Sequence, residues 1–184
     1  MATTRGGLIL VVGPSGAGKD SILHGAAEAL KADNRFIFPR RVVTRVSDAA
    51  AEDHETLSVQ AFEAMQKAGG FILWWQAHGN HYGIPASVAN ELLTNHVVAL
   101  NVSREIIPEA TMKFPNLAVV EITADPELRI KRVTQRGREA AASAQNRALR
   151  EVSPYPPMLN IHRIENNGTL AEAVVCFVTI LRGL

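Results

Sequence analysis

One cysteine, Cys176, is all the sulfhydryl chemistry this chain of 184 residues carries. An internal disulfide is therefore excluded. Cys176 lies in an apolar C-terminal stretch, and the expectation is a buried small hydrophobe. Charge of one sign is missing too. Nineteen Lys and Arg face 18 Asp and Glu, for a net charge of +1. That lacks the basic excess of a nucleic-acid binder. No long hydrophobic run opens the chain: Met1–Gly7 is short and polar, and the apolar run after it, Leu8–Val12, has five residues. This is neither a signal peptide nor a membrane span, so no membrane partner and a cytoplasmic location are expected. Repeats and low-complexity tracts are absent. What remains is an ordinary globular composition, with 47% hydrophobic and 20% charged residues. The length suffices for one domain with a sizeable core and small lids.

Against that background one motif stands out. Residues Gly13-Pro14-Ser15-Gly16-Ala17-Gly18-Lys19 have the form G-x-x-x-x-G-K. They follow the apolar run and precede a helix-like stretch, the strand–loop–helix setting of a phosphate-binding loop. Its glycines let successive backbone N–H groups converge on one anion, and the next helix presents its positive end there. Lys19 would reach the outer phosphates of a nucleotide. The Ser or Thr expected next, which normally holds Mg²⁺, is replaced by Asp20, followed by Ser21.

Strand-like segments fall at Leu8–Val12, Phe36–Val43, Val97–Val102, Leu117–Ile122 and Ile161–Ile164. Several are continuous in Val, Ile and Leu, as strands buried on both faces should be. Helix-like stretches fall at Asp20–Ala32, Val59–Ala68, Ala86–Asn95, Pro126–Gln135, Ala140–Glu151 and Leu170–Arg182. The alternation predicts an α/β fold with a parallel sheet of about five strands and helices on both faces. Two excursions interrupt it, residues 44–85 and the arginine-rich residues 129–151. Both fall where ligands of open α/β sheets bind, over the carboxyl edge. Arg129, Arg132 and Arg136 are spaced i, i+3, i+7 and share a helix face, followed by Gly137 and then by Arg138, Arg147 and Arg150. A solvated face explains many such runs. Beside a triphosphate site, guanidinium groups also neutralise charge moving between phosphates.

The loop, Val43-Thr44-Arg45, Phe71-Ile72-Leu73-Trp74, His78-Gly79-Asn80-His81-Tyr82-Gly83 and the stretch Arg132 through Arg136-Gly137 to Arg147 resemble guanylate kinases in order, over nearly the whole chain. The resemblance implies a P-loop kinase domain over residues 1–184 that uses ATP and Mg²⁺, with an acceptor-binding excursion at about 44–85 and a lid at about 129–151. It implies catalytic roles for Lys19, Arg136 and Arg147. It places the nucleotide on Gly13, Pro14, Ser15, Gly16, Ala17, Gly18, Lys19, Asp20, Ser21 and Asn167, and an acceptor phosphate on Arg45 and Tyr82.

The departures are informative. Guanylate kinases hold guanine with a glutamate, a serine and a threonine at positions occupied here by Leu73, Arg41 and Ile84. Unpaired buried donors cost about 1–3 kcal/mol each, so guanine affinity should fall by orders of magnitude. A second phosphate-binding arginine and a tyrosine of that family fall at Asp48 and His54. The combination Gly18-Lys19-Asp20-Ser21, Asn101-Val102-Ser103-Arg104, Arg136-Gly137-Arg138-Glu139 and Asn166-Asn167-Gly168 is similar to the ribose 1,5-bisphosphate phosphokinases of phosphonate degradation. That implies phosphorylation of ribose 1,5-bisphosphate to 5-phosphoribosyl 1-diphosphate. Arg41 suits an acceptor with two phosphates and no base.

Two other readings stand beside this one: a nucleoside monophosphate kinase of altered base preference, and a non-catalytic guanylate-kinase-like binding module. His78 and His81 lack further ligands at metal spacing, which favours structural or hydrogen-bonding roles. Trp74 and Trp75 are expected to pack. Asp20 has two readings. It is a metal ligand displaced from the guanylate kinase aspartate that falls at Asn101, or it caps its helix.

Overall fold

The computed structural model describes residues 6–44, 54–77, 79–135, 155–156 and 159–184. Strand β1 (Gly7–Val12) is apolar throughout and lies at the centre of a five-stranded sheet of order β2-β7-β1-β8-β9. Its partners are β7 (Val97–Asn101) and β8 (Leu117–Thr123), both parallel to it. Strands β2 (Phe36–Ile37) and β9 (Asn160–Glu165) close the edges, also in parallel. Because β1 leads on to neither neighbour directly, chain connections diverge at its carboxyl end. That is the crevice in which open α/β sheets bind ligands.

Each face of the sheet has its own core. Ile9, Val11, Ala99, Val120 and Ile122 pack against α1 (Lys19–Leu30) and α6 (Leu170–Gly183) through Ile22, Ala26, Phe177 and Leu181. A capping box starts α6: Thr169 accepts from the Glu172 amide, and the Glu172 carboxylate accepts from the Thr169 amide. On the opposite face, Leu8, Leu10, Val12, Leu100 and Val119 meet a second, smaller sheet.

That smaller sheet has order β4-β3-β6-β5 and comprises β3 (Arg41–Val43), β4 (His54–Thr56), β5 (Phe71–Ala77) and β6 (Asn80–Pro85). Strands β5 and β6 form an antiparallel hairpin that turns at Gly79, where φ is 74° and a side chain would be strained. Helix α2 (Val59–Lys67) seats Phe62 on Phe71 with ring centroids 4.5 Å apart. Helix α3 (Val88–Leu93) leads back to β7. After β7, a short 3₁₀ turn (Arg104–Ile106) runs into α4 (Ile107–Lys113), and α5 (Pro126–Gln135) follows β8.

The parallel sheet and its covering helices agree with the α/β expectation. Five details differ. The expected strand Phe36–Val43 is two strands in two sheets, divided around Pro39, which has no N–H to continue a ladder. The small sheet and the helix at 107–113 were not expected. Cys176 is exposed rather than buried, on the same outer surface of α6 as Val175. Trp75 packs in the core as expected, whereas Trp74 is 38% exposed. The expected helix Ala140–Glu151 lies outside the described residues, as does most of the expected lid.

Candidate active site at the phosphate loop

The loop between β1 and α1 has glycines where only glycine fits. Gly16 has φ 79° and a Cβ there would collide with the Arg129 backbone. Gly18, at φ 93°, begins α1, and a Cβ there would strike the Asn166 amide. The Lys19 ammonium folds back over the loop and donates to the carbonyls of Gly13 and Pro14 at 2.8 and 3.0 Å. It is thereby held beside the converging loop amides that suit an anion.

Asp20, the next residue, does not cap α1 with its side chain. Its Oδ1 accepts from Asn101 Nδ2 at 2.6 Å and lies 3.6 Å from Arg41 Nη2. Arg41 also donates to the Asn101 carbonyl at 3.5 Å, and its guanidinium lies 5.7 Å from the centroid of the Tyr82 ring. Tyr82 is in turn stacked on Trp75, with centroids 5.4 Å apart and planes 7° off parallel. Thus β3, β6, β7 and the start of α1 bring Arg41, Tyr82, Asn101 and Asp20 to one place beside Lys19. Leu73 and Ile84 are directly opposite each other in the β5–β6 ladder and are buried in the core.

On the other side of the loop lies a cavity of about 280 Å³ lined by Gly18, Ser21, Arg132, Gln135, Asn166 and Leu170. Asn166 organises it. Its Nδ2 donates to the Ala17 carbonyl at 2.9 Å and its backbone N–H to the Thr123 carbonyl at 2.8 Å. Its own carbonyl accepts twice from Arg132, at 3.0 and 3.1 Å. One residue after β9 therefore ties loop, sheet and α5 together. Its neighbour Asn167, expected at the nucleotide, exchanges hydrogen bonds with Asp125 and is exposed.

Glu121 is a further functional candidate, absent from the motifs above. It is a carboxylate in an otherwise apolar strand, and that mismatch was the available signal. It is 9% exposed and accepts from Arg104 Nη2 (2.9 Å), the Tyr155 hydroxyl (2.7 Å) and Arg163 Nε (3.1 Å). Burial, and then the bond to Glu121, pushes the Tyr155 hydroxyl up to about 12. Arg129, expected on a mobile lid face, is buried. Its guanidinium is held below the usual arginine range, first by burial and then by the charge of Arg104. His81 places its ring 5.3 Å from Phe62, and its backbone N–H donates to the Thr44 hydroxyl at 2.9 Å, both structural contacts. Ser15 is part-exposed in the loop. Arg45, His78, Arg136 and Arg147 lie outside the described residues.

A protein of Rhizobium etli named ribose 1,5-bisphosphate phosphokinase PhnN is 39% identical over 180 residues, which is 98% of this chain and 91% of that one. The chain belongs to the ribose 1,5-bisphosphate phosphokinase family. A bifunctional ribose 1,5-bisphosphokinase-thymidine phosphorylase of Azorhizobium caulinodans is 39% identical over 171 residues, 93% of this chain. The chain spans only 25% of that longer relative. No family model matches the chain. Among solved structures, guanylate kinase from Anaplasma phagocytophilum superposes with a TM-score of 0.73 at 16% identity, covering 100% of this chain and 88% of that one. That likeness establishes the guanylate-kinase-like fold of this kinase family. No described helix is long and apolar enough to cross a membrane.

Proposed function

We propose that this protein transfers the terminal phosphoryl group of ATP to the 1-phosphate of ribose 1,5-bisphosphate, giving ADP and 5-phosphoribosyl 1-diphosphate in phosphonate catabolism. Family membership supports the chemistry. The observation that carries the choice of acceptor is the burial of Leu73 and Ile84 at 1% and 0% exposure, with Arg41 beside them in the small sheet. Where guanylate kinases grip a base, this chain has packed hydrocarbon and a cation.

In this reading the 280 Å³ cavity receives the nucleoside of ATP, and the loop from Gly13 to Ser21 wraps its phosphates. Lys19 neutralises the group in flight. Arg41, with Arg45, holds the acceptor's reacting phosphate, and Tyr82 seats Arg41. The carboxylate of Asp20 would hold Mg²⁺, which would supply positive charge to offset that of the donor phosphates. Asp20 fits as its carboxylate: Oδ1 is taken by Asn101 and Arg41, and Oδ2 has no hydrogen-bond partner among the described residues. Arg136 and Arg147 supply further cations from a lid, and Asn167 borders the nucleotide. No general base is needed, because the acceptor is already an anionic phosphate. We take the enzyme to be one cytoplasmic kinase domain acting on small molecules.

The test is ATP consumption over a panel of acceptors, with phosphorus NMR of the product. Ribose 1,5-bisphosphate should exceed GMP in kcat/KM by at least ~10³, the scale on which lost paired hydrogen bonds discriminate. Equal turnover of GMP would overturn the reading in favour of a nucleoside monophosphate kinase.

A further inference from the structure

Glu121 lies near the carboxyl end of β8, opposite Val12 of β1, which leads straight into the phosphate loop. It points to the same sheet face as Val12 and Val119, the face that meets the small sheet. Arg104 reaches it from the 3₁₀ turn after β7, three residues beyond Asn101. Arg104 thus lies on the acceptor side of the main sheet, opposite the face that carries the nucleoside cavity. Arg41 contacts Asn101 on β7, and Arg104 contacts Glu121 on β8. Those two strands flank β1 and are two interstrand spacings, about 10 Å, apart.

A structural ion pair matches charge with charge. Among the described residues this cluster does not. Glu121 carries one negative charge and faces two guanidinium groups, Arg104 and Arg163. The Tyr155 hydroxyl takes a further share of its lone pairs. The Arg104 side chain is 20% exposed, yet its Nε is buried with no hydrogen-bond partner among the described residues. Burying surplus positive charge with an unmade donor is costly unless an anion arrives. Arg163 is 71% exposed and solvated, so Arg104 carries the unsatisfied part.

The geometry points to Arg104, held in place by Glu121, as the residue that binds the acceptor's second, non-reacting phosphate. The inference rests on the reading of the acceptor given above. The reacting phosphate must lie at Lys19 and Asp20, where Arg41 is in contact. A sugar with phosphates at both ends then directs its far phosphate away from Arg41. Arg104 is the described cation on that side of the loop whose partners are a shared carboxylate and a phenol. Its fork can grip a phosphate while one nitrogen stays on Glu121.

The experiment compares kcat/KM for ribose 1,5-bisphosphate and for ribose 1-phosphate, which lacks the second phosphate, in wild type, Arg104→Gln and Arg104→Lys. Arg104→Gln should reduce the preference for the bisphosphate at least ~30-fold, through KM, with KM for ATP within about twofold. Arg104→Lys keeps a charge opposite Glu121 and hence the fold, but cannot fork. It should still lose about tenfold of the preference. Equal losses on both acceptors, or an unchanged preference in the Lys variant, would overturn the assignment while leaving the kinase reading intact. No wild-type turnover of the bisphosphate would overturn both.

Discussion

Asn101 of β7 donates its side-chain amide to Asp20 of α1 over 2.6 Å, so an amide and a carboxylate share the polar site next to Lys19. In guanylate kinases the resemblance places a hydroxyl at the loop and the carboxylate on the strand. Here the pair is exchanged, and the summed charge of the two positions is the same. The contact also argues against a mere helix cap. An Asp20 serving α1 would turn its oxygens to the helix amides, whereas Oδ1 faces across to β7.

Asp20→Asn should therefore fold normally, since an amide oxygen still accepts from Asn101. The Mg²⁺ concentration for half-maximal rate should rise on the order of tenfold or more, the scale of losing a charged partner. Titrating the initial rate against Mg²⁺ checks this. An unchanged requirement, with only a lower melting temperature, would restore the helix-cap role.

Lys19→Met removes the ammonium but keeps the stem that lies along the loop. The circular dichroism spectrum should match wild type, and kcat should fall at least ~10²-fold, as when one preorganised charge-stabilising group is deleted. Wild-type turnover would show that the hydrogen bonds from Lys19 to Gly13 and Pro14 are only loop scaffolding.

Asn166 offers a different kind of test, because it is 4% exposed and its amide closes the phosphate loop through Ala17. Asn166→Ala leaves the Ala17 carbonyl unpaired and should cost about 1–3 kcal/mol of stability. The backbone contact to Arg132 survives the substitution, so α5 stays docked. KM for ATP should rise about tenfold while KM for the acceptor changes little. Chemical denaturation and a two-substrate kinetic analysis separate these effects. Equal rises in both KM values would count against a loop-specific role.

The main sheet was legible because β1, β7 and β8 are continuous apolar runs, which is what burial on both faces demands. The small sheet was not. In β5 the residues facing the core, Leu73 and Trp75, alternate with Trp74, which is exposed and equally apolar, so the period of two is hidden in the sequence. Cys176 misled for the same reason: α6 keeps apolar residues, among them Val175 at 66% exposure, on its outer surface. The phosphate loop could be read letter by letter because its function is in its backbone. Arg41 and Asn101 were marked only as departures from a relative, and their contact with Asp20 joins residues 81 positions apart in the case of Asn101. Glu121, Arg104, Tyr155 and Arg163 come from four separate segments, and no local pattern announces such a cluster.

That cluster makes a spectroscopic prediction. The chain has two tyrosines, Tyr82 and Tyr155, so in Tyr82→Phe the phenolate absorbance reports Tyr155 alone. Its ionisation should occur near 12, held up by burial first and by the hydrogen bond to Glu121 second. In Glu121→Gln it should move part of the way back toward the ordinary value of about 10, because burial, the larger cause, remains. The sign of the linked stability follows. The folded-state pKa is raised, so the contribution of Tyr155 is fully present below about pH 10. It is lost as pH rises from there through about 12. The melting temperature of wild type should therefore exceed that of Tyr155→Phe at neutral pH, and the gap should close between about pH 10 and 12. A gap independent of pH, or a Tyr155 that titrates near 10, would mean that its hydroxyl is not held by Glu121 in solution.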